Sequence, residues 1–223
     1  MSTLNKLSIL VLAGLALTGS AFALRDDGKQ ERPKPEMKKE AAAAEIGKPA
    51  PAFELKDLDG KSVKLADYKD KIVVLEWFQP SCPFCVGGYA EEGACRQTSE
   101  KLQKDGVVWL LVNSTNDSLD DSKAEKNKEF FASRKLRHTV LLDADGRVGR
   151  AYGAKTTPHC MVIDAKGSLA YRGAIDNAQE KDAKERINYV ENAVRELKAG
   201  KPVTKSETRS YGCSVKYKAD PKS

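Results

Sequence analysis

Cys82 and Cys85 are separated by Pro83 and Phe84, a spacing at which two thiols can close a small disulfide ring. They follow the β-branched and aromatic run Lys71 to Phe78 and the turn Gln79-Pro80-Ser81, and they open a segment with helical character. At such a strand-to-helix junction one sulfur is expected to be exposed and the other to lie behind it. Cys82 would occupy the first helical turn, where unpaired backbone N–H groups and the helix dipole favour thiolate over thiol. Pro83 suits the first helical position. Cys85, one turn further on, would resolve a mixed disulfide formed by Cys82. A four-cysteine zinc site would need a second pair at similar spacing, and the sequence has none. Thiol/disulfide exchange is therefore the chemistry these residues favour.

The elements needed to position the pair are legible as patterns. Phe53-Glu54-Leu55-Lys56 and Ser62-Val63-Lys64-Leu65 alternate about the turn Asp57 to Gly60 and predict a hairpin. Lys71–Phe78 predicts a central parallel strand buried on both faces. Pro83–Lys104 reads as helical in its second half, with an irregular start where Gly87, Gly88 and Gly93 weaken a helix. Val107–Val112 and Thr139–Asp143 are further strands, with a polar amphipathic helix between them over Ser122–Lys135. A short helix at Arg147–Tyr152, strands at Met161–Ile163 and Leu169–Arg172, and a helix from about Lys184 to Lys198 complete the pattern. The fold class is α/β, a central mixed sheet flanked by helices, with an N-terminal hairpin and an inserted α/β unit.

At 223 residues the chain has room for one ordinary domain with dispensable ends. Lys6, the apolar run Leu7–Leu17 and the triplet Ala21-Phe22-Ala23 predict a signal peptide over 1–23, too short in its apolar part to be a stable membrane span. A polar, proline- and lysine-rich linker follows over 24–45, read as disordered, then a domain over 46–200 and a tail over 201–223. Export, to the periplasm or outside the cell, places the thiols where disulfides persist. The net charge of +6 is spread along the chain and gathers at its ends, not on a basic face interleaved with aromatics, which argues against nucleic-acid binding. The five cysteines are Cys82, Cys85, Cys95, Cys160 and Cys213, an odd number that leaves at least one thiol free or paired between molecules.

The run from Val74 to Cys85 resembles the active-site strand of thioredoxin-like proteins, and Thr157-Pro158 resembles their cis-proline. With the hairpin and the inserted α/β unit, the chain is similar over 46–200 to exported redoxins: thioredoxin-like reductases, the alkyl hydroperoxide reductase/thiol-specific antioxidant group and peroxiredoxin-like proteins. Tyr211–Tyr217 resembles the tail of a peroxiredoxin-like subgroup. The resemblance implies a thioredoxin-like fold, and catalysis by Cys82 and Cys85 without a cofactor. Glu76, six residues before Cys82, would be the buried acid that moves a proton to or from the resolving thiol, and burial would raise its pKa to suit. Thr157 and Pro158 would bind an extended partner beside Cys82. Substrates would be protein or small-molecule thiols and disulfides, with a separate redox partner recharging the site.

Two rival activities use the same residues. A peroxidase would also employ Cys82, but peroxiredoxins carry Thr or Ser three residues before that cysteine and Pro four residues earlier still, where this chain has Gln79 and Leu75. The Cys-Pro-x-Cys order with the preceding Glu is instead similar to disulfide-donating periplasmic oxidases, so the redox direction stays open. A copper or zinc protein would use Cys82, Cys85 and His159, with Cys160 adjacent, as in exported copper chaperones. Strand alternation turns His159 and Cys160 to opposite faces, and Cys160 suits a core position. Cys95 and Cys213 could pair to pin the tail, or Cys213 could be a third redox thiol. Trp77 and Phe78 read as packing residues.

Overall fold

The computed structural model describes residues 43–219. The expected signal peptide and most of the expected linker lie outside the described residues. Ala44 is buried, and its amide donates to Ala151 O at 2.8 Å.

Seven strands form one mixed sheet in the order β2-β1-β5-β4-β3-β7-β8: β1 (Glu54–Asp57), β2 (Ser62–Lys64), β3 (Val73–Trp77), β4 (Val108–Asn113), β5 (Thr139–Leu142), β7 (His159–Ile163) and β8 (Leu169–Gly173). β3, β4 and β5 run parallel, joined by helices, whereas β1 and β7 add antiparallel to either side of that trio. The α/β class, the mixed sheet and the N-terminal hairpin are as expected. All five residues of β3 are buried, as its unbroken apolar character requires of a strand covered on both faces.

Period-two alternation divides β3 between two cores. Val74 joins Phe78 in a cluster with α1 (Pro83–Gly88), α2 (Ala94–Lys104), α3 (Ala124–Ser133) and α5 (Tyr189–Lys198). Val73, Leu75 and Trp77 face the other core, which includes Phe53, Leu55 and Tyr152 of α4 (Arg147–Tyr152). Glu76 shares the first face, so one carboxyl sits among the side chains of the helical layer. Phe78 there makes edge contacts with Tyr89 and Phe130.

The glycine-rich stretch differs from expectation. The chain is helical from Pro83, breaks over 89–93, and resumes at Ala94. A Cβ on Gly93 would stand 2.2 Å from Gly88 O, so only glycine lets the chain fold this tightly between α1 and α2. The break brings Cys95 back against Gly88 and the buried layer beneath α1. At the C-terminal end, α5 begins at Tyr189 instead of about Lys184, because Asn188 caps it by accepting the Glu191 amide at 2.9 Å. Beyond α5 the tail turns back, and its β9 (Cys213–Ser214) pairs antiparallel with β6 (Thr156–Thr157) in a separate two-stranded sheet.

Candidate functional site

Cys82 is the residue that caps α1, with extended backbone angles and Pro83 at the first helical position. In its protonated form the Cys82 thiol donates to the carbonyl oxygen of Thr157, which lies 3.0 Å from the sulfur. The side chain is only 2% exposed, which corrects the expectation of an outward sulfur. The physical reason is the tail: β9 lies along β6 and sets Cys213 in register with Thr157, the residue whose carbonyl oxygen lies 3.0 Å from the Cys82 sulfur.

Hydrogen bonds lower the pKa of Cys82 to about 4: first from the Cys85 thiol, against an opposing desolvation cost, then from the Cys213 thiol, the Thr157 side chain and the Cys85 amide. These hydrogen bonds favour the thiolate. Cys85 is fully buried, and burial pushes its thiol well above the ordinary range, aided by the negative charges of Cys82 and Glu76. The two sulfurs are thus polarised in opposite senses: a thiolate at Cys82 and a retained proton at Cys85.

Behind Cys85 lies Glu76, fully buried at the fourth position of β3 and paired in register with Leu111 and Cys160. Its Oε2 accepts from the Tyr89 hydroxyl at 2.7 Å and from Trp109 Nε1 at 3.0 Å. Oε1 has no hydrogen-bond acceptor or donor partner among the described residues. Burial raises the carboxyl pKa to about 7, opposed by the hydrogen bonds from Tyr89 and Trp109 and by the neighbouring Cys95 thiol. Tyr89 and Trp109 escaped the sequence reading, as did the place of Cys95 beside Glu76; Trp109 alone offered a signal, since an indole in a buried strand needs an acceptor for its N–H.

The Thr157–Pro158 peptide bond is cis. Thr157 is buried, and its edge is occupied by β9, so the place expected to hold a partner is filled by the chain itself. His159 pairs with Trp77 across the sheet, and its Nδ1 accepts the Lys155 amide at 3.2 Å. Cys160 falls in the helical-layer core opposite Glu76. Among the described residues no group of three or more His, Cys, Asp or Glu side chains is placed to hold a metal ion. Gln79, at the position where a peroxiredoxin has its hydroxyl, donates to Asp121 Oδ2 at 2.8 Å. Cys95 and Cys213 do not pair: Cys95 is buried beside Glu76, Cys213 adjoins Cys82, and all five cysteines are free thiols.

Comparison with known proteins places this geometry in context. Residues 46–172 match the AhpC/TSA family. The thiol:disulfide interchange protein DsbE of Yersinia pestis is 30% identical over 183 residues, covering 78% of this chain and 87% of that protein. The thiol-disulfide oxidoreductase ResA of Geobacillus thermodenitrificans is 32% identical over 131 residues, 58% of this chain and 70% of that protein. Chloroplastic peroxiredoxin Q of Triticum aestivum is 30% identical over 195 residues, 80% of this chain and 81% of that protein. Among solved structures, a hypothetical protein from Sinorhizobium meliloti 1021 superposes with TM-score 0.70 at 25% identity, covering 81% of this chain and 98% of that one. With its mixed sheet and two thiols at the start of α1, the chain belongs to the AhpC/TSA family and is a thioredoxin-like redoxin.

Proposed function

We propose that this redoxin is an exported thiol/disulfide oxidoreductase in which Cys82 attacks, Cys85 resolves, Glu76 moves the proton, and Thr157 with Pro158 aligns the partner. The observation that carries the reading is the opposite polarisation of the two sulfurs, with a carboxyl of pKa about 7 behind the protonated one.

Starting from the dithiol, the Cys82 thiolate attacks one sulfur of a partner disulfide. A mixed disulfide forms, and the other partner sulfur leaves as a thiolate that takes up a proton. Cys85 passes its proton toward ionised Glu76 and attacks Cys82 Sγ. The second partner sulfur leaves, and the Cys82–Cys85 disulfide closes. The partner gains two electrons and the site loses two; a separate thiol couple restores the dithiol. Hydrogen bonds that stabilise the Cys82 thiolate also stabilise the reduced form, which favours the same steps in reverse, with the Cys82–Cys85 disulfide taking two electrons from a partner dithiol.

Turnover with a protein disulfide tests the assignment. Cys82→Ser is expected to abolish it, and Cys85→Ser to arrest the first step with Cys82 bound to a thiol partner. Undiminished turnover in Cys82→Ser would overturn the reading. Similarity to peroxiredoxin Q makes hydrogen peroxide the necessary control. Because Gln79 is tied to Asp121 and offers no hydroxyl to the reaction, peroxide consumption is expected to stay near that of a free thiol. Export rests on the leader sequence, and a mature protein beginning at Leu24 would support it. Among the described residues no helix is long and apolar enough to cross a membrane.

A further inference from the structure

The tail is secured on both sides of Cys213. Before it, Thr208 N donates to Arg172 O at 3.1 Å, and Thr208 Oγ1 lies 2.6 Å from the Tyr171 hydroxyl. Tyr211 donates to Asp176 Oδ1 at 2.8 Å and packs its ring against Phe84, with centroids 6.0 Å apart. After it, Val215 N donates to Lys155 O at 3.1 Å and the Tyr217 hydroxyl to Ala154 O at 2.8 Å. Between these anchors Cys213 stands in register with Thr157, the residue whose carbonyl meets the Cys82 sulfur.

Gly212 makes that register possible. Its φ is 121°, and a Cβ there would come within 2.1 Å of Thr157 O. The chain therefore runs Cys213 along an edge of β6 beside the nucleophile, and it does so with a glycine where any side chain would collide. A partner bringing its own sulfur to Cys82 along Thr157 must take the place that β9 holds.

We propose that Cys213 is a third redox thiol of the site and β9 a built-in substrate mimic: Cys213 forms a disulfide with Cys82 that fastens the tail covalently over the nucleophile. This rests on the exchange reading above. From the Cys82–Cys85 disulfide, the Cys213 thiolate attacks Cys82 Sγ. The Cys82–Cys213 bond forms, the Cys82–Cys85 bond breaks, and Cys85 leaves with the electron pair and takes up a proton, so the step is an isomerisation that needs no oxidant. Attack by Cys85 on Cys82 reverses it. In the tail-linked form no external sulfur reaches Cys82. In the other forms hydrogen bonds and packing alone hold the tail, and a partner can displace it.

The test uses full-length Cys85→Ser, reduced and then exposed to excess glutathione disulfide. Glutathione first caps Cys82. Cys213 then displaces it, so the expected product is two hydrogens lighter than the reduced protein, carries a Cys82–Cys213 link on peptide mapping, and retains no glutathione. A stable glutathione adduct at Cys82 with Cys213 free would overturn the proposal while leaving the exchange reading intact. A Cys82 that neither takes glutathione nor links to Cys213 would overturn both. Adding Gly212→Ala should undock β9, cut formation of the link at least tenfold and leave the adduct at Cys82 in its place. An undiminished link in that variant, with its circular dichroism unchanged, would overturn the role of the β6 edge.

Discussion

The Cys82 thiol meets the carbonyl oxygen of Thr157, a residue seventy-five positions later, at 3.0 Å. The two are brought together because β7, which follows Thr157, pairs antiparallel with β3, which leads to Cys82. The nucleophile is therefore held between the start of α1 and the strand that carries the tail. Its ionisation, access and proton traffic depend on groups from four parts of the chain.

Ionisation of Cys82 should be visible directly. Thiolate absorbance at 240 nm, taken as the difference between the reduced protein and Cys82→Ser, is expected to titrate with a midpoint near pH 4. Because the folded pKa lies below the unfolded value of about 8.5, the resulting stabilisation is full above that unfolded value and is lost as pH falls through the folded one. Cys85→Ala, which removes the leading hydrogen bond, should move the midpoint up by about one unit or more. A midpoint near 9 in the parent protein would contradict the arrangement.

Glu76→Gln should separate catalysis from stability. Turnover is expected to fall by about a hundredfold and to lose the rise through pH 7 that ionisation of the acid produces. Stability should change in the opposite direction. The carboxyl binds its proton more tightly folded than unfolded, so between about pH 4.3 and 7 the parent protein loses stability as pH rises, by roughly 3–4 kcal/mol in all. Melting at pH 5 and pH 8 is the check: Glu76→Gln should gain relative to the parent at the higher pH.

Tyr89→Phe and Trp109→Phe each remove one hydrogen bond to Glu76 Oε2. Each loss disfavours the carboxylate, so the pH-rate profile should shift to higher pH. The stability cost should be about 1–3 kcal/mol at pH 8 and smaller at pH 5, where the acid is protonated. A cost equal at the two pH values would show that the donors serve packing alone. Chemical denaturation across that range provides the measurement.

The break between α1 and α2 predicts opposite outcomes for two similar substitutions. Gly93→Ala places a methyl 2.2 Å from Gly88 O and should destabilise the fold by about 1–3 kcal/mol. Gly87→Ala projects into open space from a helical position and should be neutral or stabilising by up to about 1 kcal/mol. Urea midpoints for the two variants, with equal slopes, would decide it.

What the sequence determined is what local pattern and spacing can encode. The unbroken apolar run of β3 implies a strand covered on both faces, and Cys82-Pro83-Phe84-Cys85 at its end implies two thiols at a helix start. The alternation around the Asp57–Gly60 turn implies the hairpin, and Glu76 inside an apolar run implies a carboxyl with a raised pKa. Only the tertiary structure decided what surrounds those groups. Trp109 comes from the neighbouring strand, Tyr89 and Cys95 flank a break that depends on Gly93 meeting Gly88, and Cys213 arrives from the far end of the chain. An exposed sulfur was expected because a short motif contains no information about a strand more than one hundred residues away. The burial of Cys82 follows from the pairing of β9 with β6, a long-range contact between two-residue strands too short to leave any periodic trace in the sequence.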